Sequence, residues 1–262
     1  MIIRHLGNGI VVFENLIQYT KEQVDGWLKR LEDNSTPFGY QPTSDETELN
    51  SGGYKFTKAH KSTAPTRFNN FYWDGVSDED CNFVQMMENS LYLALVEYCK
   101  LFPLAISELT WRTQGHIAKY EDGQYIGPHS DCAIPYEGDT FKPINLSPLY
   151  NTITASITLN DGFIGGELGF KPWGISNAPK MGQIVMYPSA YLGCHEVAPV
   201  TQGIRYSYLA WFCHGLPREE FDNPRPDQSK YQWLTDLKRD VGSENMMQKM
   251  VPVGILVDTD KK

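Results

Sequence analysis

No stretch of this 262-residue chain stays apolar for the roughly 18 residues that a membrane-crossing helix needs. Its first residues, M-I-I-R-H-L-G-N-G-I-V-V-F-E, hold no long apolar segment of the secretory-signal kind. Runs of like charge, low-complexity tracts and internal repeats are missing too. There is no Cys-x-x-Cys pair, and the five cysteines (Cys81, Cys99, Cys132, Cys194 and Cys213) are odd in number, which argues against a disulfide framework. Positive charge is in deficit: 23 Lys and Arg against 32 Asp and Glu give a formal net charge of −9, without the electrostatic footprint of a general nucleic-acid binder. The expectation from these absences is a cytoplasmic, reducing setting, with neither a membrane nor a nucleic acid as partner. The remainder is ordinary for a globular protein, 41% hydrophobic and 21% charged, with ample length for a core.

Apolar periodicity supplies the frame. Ile10 to Phe13 reads as a short strand. Thr20 and Gln23 have capping-box spacing, and Val24, Trp27, Leu28 and Leu31 follow at helical intervals. A second helix is expected after Ser77, with Asp78, Glu79 and Asp80 at its start and Phe83, Val84, Met87, Leu91 and Leu95 as its buried stripe. Both helices are expected to buttress one face of a sheet. Between them, residues 38–73 shift to Gly, Pro, Ser, Thr and Asn, either a substrate-side loop or a surface excursion. Residues 108–120 read as one strand with Arg112, Gln114, His116, Ala118 and Tyr120 on one face, and His116 as a hydrogen-bonded or solvated histidine. Residues 152–159, 182–187, 194–200 and 204–213 read as further strands, Gly165-Gly166 as a hairpin turn, and Tyr231, Leu234, Leu237 and Val241 as a last amphipathic helix. About eight strands with turn signals at regular spacing fit a mainly β (α+β) domain, a double-stranded β-helix or jelly roll. The expected organisation is one catalytic domain: helical support and a variable loop over 1–105, the jelly-roll core over 106–215, and a C-terminal extension over 216–262.

The chemistry concentrates at residues 120–131, Y-E-D-G-Q-Y-I-G-P-H-S-D. On a strand, His129 and Asp131 project to one side about 7 Å apart, two thirds of a 2-His-1-carboxylate triad that holds Fe(II) on one face and leaves other positions open. Alone, His-x-Asp reads better as a core histidine oriented by or ion-paired with a carboxylate, so the motif needs a third ligand and a co-substrate anchor downstream. A third ligand candidate, His195, lies in G-C-H-E-V-A-P-V-T-Q-G-I-R-Y-S-Y, and Arg205 follows across a turn at Pro199 and Gly203. A guanidinium holds a carboxylate through two parallel charge-assisted hydrogen bonds, and Ser207 shares a strand face with Arg205. A Cys/His zinc site using Cys132 and Cys194 is disfavoured, because strand alternation turns both thiols away from the ligand face.

In this order the motifs resemble the prolyl 4-hydroxylase-like branch of the 2-oxoglutarate and Fe(II)-dependent dioxygenases. Residues 120–131 are similar to that family's Y-x-x-G-x-x-Y-x-x-H-x-D. Residues 159–170, L-N-D-G-F-I-G-G-E-L-G-F, resemble its next strand pair. G-Q-I-V-M-Y-P-S at 182–189 resembles the strand leading to its distal histidine, H-E-V-x-P followed by R-Y and W-F resembles its closing segment, and the likeness spans residues 108–212. Arg205 stands where collagen-type members usually place Lys; Arg is normal in other branches.

The resemblance implies His129, Asp131 and His195 as ligands of Fe(II), and Arg205, Ser207 and Tyr120 around 2-oxoglutarate. Thr158 aligns with a position that contacts 2-oxoglutarate in related enzymes, although four hydroxyl residues at 152, 154, 156 and 158 read equally as the wet face of a sheet. It further implies O₂ as co-substrate, ascorbate as an optional reductant, residues 132–151 as a lid, and hydroxylation of peptidyl proline with conversion of 2-oxoglutarate to succinate and CO₂. The same chemistry on a free amino acid, another protein side chain or a nucleobase stays open. So does an inactive jelly-roll binding protein. Arg205 and Ser207 argue against a cupin-like metalloenzyme that needs no co-substrate.

Overall fold

The computed structural model describes residues 1–17, 19–33, 65–68, 78–109, 111–112, 115–132, 136–137, 142–143, 149–215 and 232–242, with two-residue strands between 39 and 60. Most of the 38–73 excursion, most of the 132–151 connection, Ser77, Pro224, Pro226 and the last residues lie outside them.

The chain opens with a hairpin, β1 (Ile2–Gly7) and β2 (Ile10–Glu14), joined at Asn8-Gly9. Asn8 and Gly9 both have positive φ, the backbone an Asn-Gly hairpin turn needs. Next come α1 (Lys21–Asp33), β3 (Thr66–Phe68) and α2 (Asp78–Leu101). The Thr20–Gln23 capping box forms in both directions: Thr20 N–H donates to Gln23 Oε1 at 2.9 Å, and Gln23 N–H donates to Thr20 Oγ1 at 3.3 Å.

The strand read over 108–120 is shorter than its pattern. Pro103 opens a 3₁₀ turn that runs to Glu108, where a proline's fixed φ and missing N–H cost nothing. Pairing starts at Trp111–Arg112 and resumes at β4 (His116–Tyr120). After β4 come β5 (Ile126–His129), β6 (Leu149–Thr158), β7 (Leu168–Phe170), β8 (Ile175–Asn177), β9 (Ile184–Pro188), β10 (His195–Val197), β11 (Arg205–Gly215) and α3 (Gln232–Val241). Gly165-Gly166 is not a bare hairpin turn. Ile164–Gly165 pairs with Val200–Gln202, and both glycines sit at positive φ.

Two antiparallel sheets face each other, as in a jelly roll. The larger runs β1-β2-β9-β6-β11-β4-β3, extended by Gly39–Tyr40 beyond β3 and by Trp111–Arg112 on β11. The smaller runs β5-β10-β7-β8. Strand alternation gives the larger sheet two different faces. Its outer face presents Phe13, Ile117, Ile153, Ile157, Met186, Tyr208 and Phe212 to Val24, Trp27, Phe83, Val84, Met87, Leu91, Leu95 and Leu237 on the helices. Trp27 stacks on Phe83 at 3.9 Å between ring centroids, tying α1 to α2. Each such fully buried side chain contributes about 1.5–3 kcal/mol. The inner face sends Ile10, Val12, Ala118, Tyr120, Val185 and Tyr187 against Leu168, Phe170, Val197 and Val200. The hydroxyl row on β6 points inward as well: Thr154, Ser156 and Thr158 are buried, not a wet face.

Candidate metal centre and anion pocket

β5 and β10 are neighbours in the smaller sheet, and their register sets His129 directly opposite His195. Their ring centroids lie 4.3 Å apart. β5 is an edge strand, the only sheet position that readily admits its Pro128. It ends at His129, so Asp131 lies in the following turn and not on the strand. Three hydrogen bonds hold that turn. Ser130 Oγ donates to Ser189 O at 2.8 Å, Cys132 N–H donates to Ser189 O at 3.1 Å, and Asn151 Nδ2 donates to Asp131 O at 2.8 Å. The Asp131 carboxylate thereby reaches 3.4 Å from His129 Nε2 and 3.9 Å from His195 Nε2. One ligand atom from each of the three residues falls within 4.8 Å of the others.

Both imidazoles are oriented by main chain. His129 Nδ1 is 2.8 Å from Gly127 O and His195 Nδ1 is 2.9 Å from Gly193 O. A carbonyl accepts only, so each Nδ1 carries a proton, and Nε2 is the ring atom turned toward the Asp131 carboxylate, the second-shell device of metal-binding histidines. Position 193 must be glycine, since a Cβ there would sit 1.7 Å from Pro188 O. Thr154 Oγ1 donates to Asp131 Oδ2 at 2.6 Å and lies 2.8 Å from Ser189 Oγ.

Burial sets the charge state. It pushes the pKa of His195 down to about 4, against the pull of Asp131, so the ring is neutral at neutral pH. Burial works to raise the Asp131 carboxyl, but the imidazoles and the Thr154 hydroxyl outweigh it and hold the group well below the usual carboxylate range. Two imidazoles and one carboxylate form an N,N,O set suited to a divalent first-row metal.

Behind the triad is a small cavity, open at its mouth, whose walls include Tyr120, Ser156, Tyr187, Arg205, Ser207 and Trp211. Arg205 and Ser207 alternate inward on β11, 3% and 1% exposed. Arg205 Nε and Nη1 and Ser207 Oγ have no protein partner. Burial works against the guanidinium's charge, yet arginine does not give up its proton in proteins. Tyr120 is beside it, with the guanidinium carbon 5.1 Å from the ring centroid. Gly166 leaves the space, because a Cβ there would meet Arg205 Cδ at 2.8 Å. A buried cation with unused donors calls for an anion in the cavity.

The structure therefore gathers His129, Asp131, His195, Arg205, Ser207 and Tyr120 around one space. Thr158 is buried as the Cα partner of Ser207 but stands outside the cavity wall, where Ser156 is found instead. His116 lines the wall and stacks on Trp211, with ring centroids 5.1 Å apart. Cys132 and Cys194 are unbridged and contribute nothing to the cluster. Sequence reading missed Tyr187, whose hydroxyl lies 3.0 Å from His195 Nε2, and the Thr154–Ser189 pair beneath Asp131. The even-numbered hydroxyl row on β6 was the available signal for Thr154. Tyr187 reads in sequence as one more aromatic of an apolar strand.

Comparison with known proteins bears on this geometry. A family model described as the 2OG-Fe(II) oxygenase superfamily matches residues 115–213. A PKHD-type hydroxylase of Synechococcus sp. (strain JA-2-3B'a(2-13)) is 31% identical over 97 residues, 36% of this chain and 40% of that protein. One from Cupriavidus metallidurans is 30% identical over 97 residues, again 36% and 40%. The chain thus spans well under half the length of these curated relatives. Among solved structures, a Trichoplax adhaerens prolyl hydroxylase in complex with a hypoxia inducible factor oxygen degradation domain peptide fragment matches with a TM-score of 0.50 at 16% identity, covering 78% of this chain and 83% of that one. That likeness is one of fold.

Proposed function

We propose that this chain, whose residues 115–213 match the model of the 2OG-Fe(II) oxygenase superfamily, is an Fe(II)- and 2-oxoglutarate-dependent dioxygenase that hydroxylates peptidyl proline. The observation that carries the cofactor reading is a buried Arg205 with unused donors, in the same cavity as a preformed His129–Asp131–His195 cluster. In this reading the three residues hold Fe(II), and Arg205 with Ser207 and Tyr120 holds the far carboxylate of 2-oxoglutarate. When bound, Fe(II) and 2-oxoglutarate supply O₂ activation coupled to formation of succinate and CO₂, and hydroxylation of a C–H bond. The protein's own work is positional. Gly127 and Gly193 carbonyls fix the imidazoles, Thr154 fixes the carboxylate, and Phe170, Leu168 and Val197 keep the cavity dry around the reacting groups.

The peptidyl substrate is supported by the hydroxylase relatives and by the sequence resemblance. A single catalytic unit is supported by Leu237 and Val241 of α3, which share a core with α1, α2 and the sheet. A reducing, cytoplasmic setting is supported by Cys99, Cys132, Cys194 and Cys213 standing free. No described helix is long and apolar enough to cross a membrane.

The test is an anaerobic titration with Fe(II) and then 2-oxoglutarate, followed by the visible metal-to-ligand charge-transfer absorption. The band is expected in the wild type, at higher 2-oxoglutarate in Arg205→Ala, and not in Asp131→Ala. Metal binding without a band would overturn the co-substrate reading. A panel of proline peptides, scored by mass spectrometry for one added oxygen, then tests the substrate; 2-oxoglutarate turnover with no peptide oxidised would favour a non-prolyl substrate.

A further inference from the structure

The hydroxyl of Tyr187 occupies a lone pair that the proposed metal also needs. His195 Nδ1 donates to Gly193 O, so Nε2 is an acceptor with one lone pair. The Tyr187 hydroxyl, 3.0 Å away, is therefore the donor to it. The phenol is 1% exposed and packed edge-on to His195 and Phe170, with ring centroids 4.7 and 5.0 Å away. Resting on the dioxygenase reading above, we propose that Tyr187 is an exchange donor coupling metal binding to 2-oxoglutarate binding: a metal on His195 Nε2 displaces the hydroxyl, which then donates to an oxygen of the bound co-substrate.

The chemistry of the surroundings selects that acceptor. Tyr187 shares the cavity wall with Asp131, Tyr120, Ser156, Arg205 and Ser207, and Thr154 also reaches the phenol. Arg205 only donates. Asp131 uses Oδ2 to accept from Thr154, and its carboxylate belongs to the metal cluster. Thr154 donates its one proton to Asp131, and as an acceptor for the phenol it is neutral and already engaged by Ser189. A freed hydroxyl that is buried and unpaired is costly. Tyr187 lines the same cavity as Arg205 and Ser207, whose donors are also unused, so the missing partner of all three is an acceptor-rich anion between anchor and triad. A dicarboxylate meets that need. Before it arrives, the phenol satisfies His195 and holds the ring in its ligand orientation.

The two halves of the proposal have opposite signs in one variant. Tyr187→Phe removes the competitor for Nε2, so redox-inert Mn(II) alone is expected to bind about three- to tenfold more tightly, and 2-oxoglutarate about three- to tenfold more weakly to the Mn(II)-loaded protein. Both affinities are read by calorimetry on the full chain. A packing defect would weaken both, and a bystander would move neither; either result overturns the proposal. In the wild type, ultraviolet resonance Raman of tyrosine gives an independent reading. Mn(II) alone is expected to shift one buried tyrosine from its donor signature, and a spectrum unchanged by Mn(II) overturns the exchange even if the variant does not fold. His195→Ala separates the levels, because wild-type Mn(II) affinity there would sink the metal centre itself, whereas its loss with an inert Tyr187→Phe sinks only the exchange.

Discussion

Along β11, Tyr206, Tyr208, Ala210 and Phe212 turn toward the helices, while Arg205, Ser207, Leu209 and Trp211 turn into the cavity. The outer face is closed by α1, α2 and α3 and is almost wholly apolar; its buried charge, Glu88, is paired with Arg112 at 3.1 Å and accepts from Tyr208 at 3.1 Å. The inner face holds buried donors left without acceptors. Among the described residues, the helix side pairs its buried charge and leaves only scattered atoms, Tyr19 Oη and Arg112 Nε, unmatched, whereas on the other side the unpaired donors of Arg205 and Ser207 converge on one cavity where something can bind. Unpaired buried polar groups cost about 1–3 kcal/mol each, so the site is a place where the fold gives up stability that the helix-covered face restores.

Replacing Arg205 tests this contrast most severely. Arg205→Met should weaken 2-oxoglutarate binding by about 10²-fold or more, through loss of a charge-assisted pair. The same change should leave the empty protein as stable or more so, since an apolar chain replaces a buried cation. Charge-transfer titration and thermal melting read the two effects; a variant destabilised without loss of affinity would make Arg205 structural.

Leu91→Ala attacks the helix-covered face. Leu91 is 1% exposed, and truncation should cost about 2–5 kcal/mol by denaturant unfolding while metal affinity of the folded fraction stays put. An equal loss of metal affinity would mean that the two faces are not independent.

Acid acts on the cavity face. His195 is held at about 4 in the folded protein against an ordinary value of 6.5. Between those values the unfolded chain takes up the proton first, so stability falls as pH falls through that window, by roughly 3 kcal/mol in total. The depressed Asp131 acts in the same direction at lower pH. Urea midpoints of the metal-free protein at several pH values measure the slope, which should flatten in His195→Gln.

The smallest effect is expected at Thr154→Val, which keeps the shape and removes the donor to Asp131. A loss of about 10- to 100-fold in Mn(II) affinity is expected for such a supporting contact. Unchanged affinity would show that the turn at Ser130 and Asn151 suffices to position the carboxylate.

The sequence made the His129, Asp131 and His195 cluster legible because residue type limits the chemistry: few side chains bind iron, and His-x-Asp, a distant His and a following Arg form a spaced order. The helices were legible because Val24, Trp27, Leu28 and Leu31, and Phe83, Met87, Leu91 and Leu95, recur at the helical period. The β1–β2 hairpin had a signal in Asn8-Gly9 that was not used. Thr158 shares its inward face with Ser156, but it is Ser156 that lines the cavity, since alternation fixes the side of a strand and not the distance along it to a cavity. The 3₁₀ turn before β4 was hidden because its residues alternate like a strand.

By itself, then, the order of amino acids determined which atoms could ligate a metal, which residue could anchor an anion, and which stripes had to be buried. All of these follow from side-chain chemistry and local period. Only tertiary structure decided that His129 faces His195 across two strands joined by more than sixty intervening residues, that Asp131 reaches them from a turn, and that the Tyr187 hydroxyl rests on His195 Nε2. Those relations depend on strand register and sheet closure, set by the packing of the whole jelly roll, which no local stretch encodes.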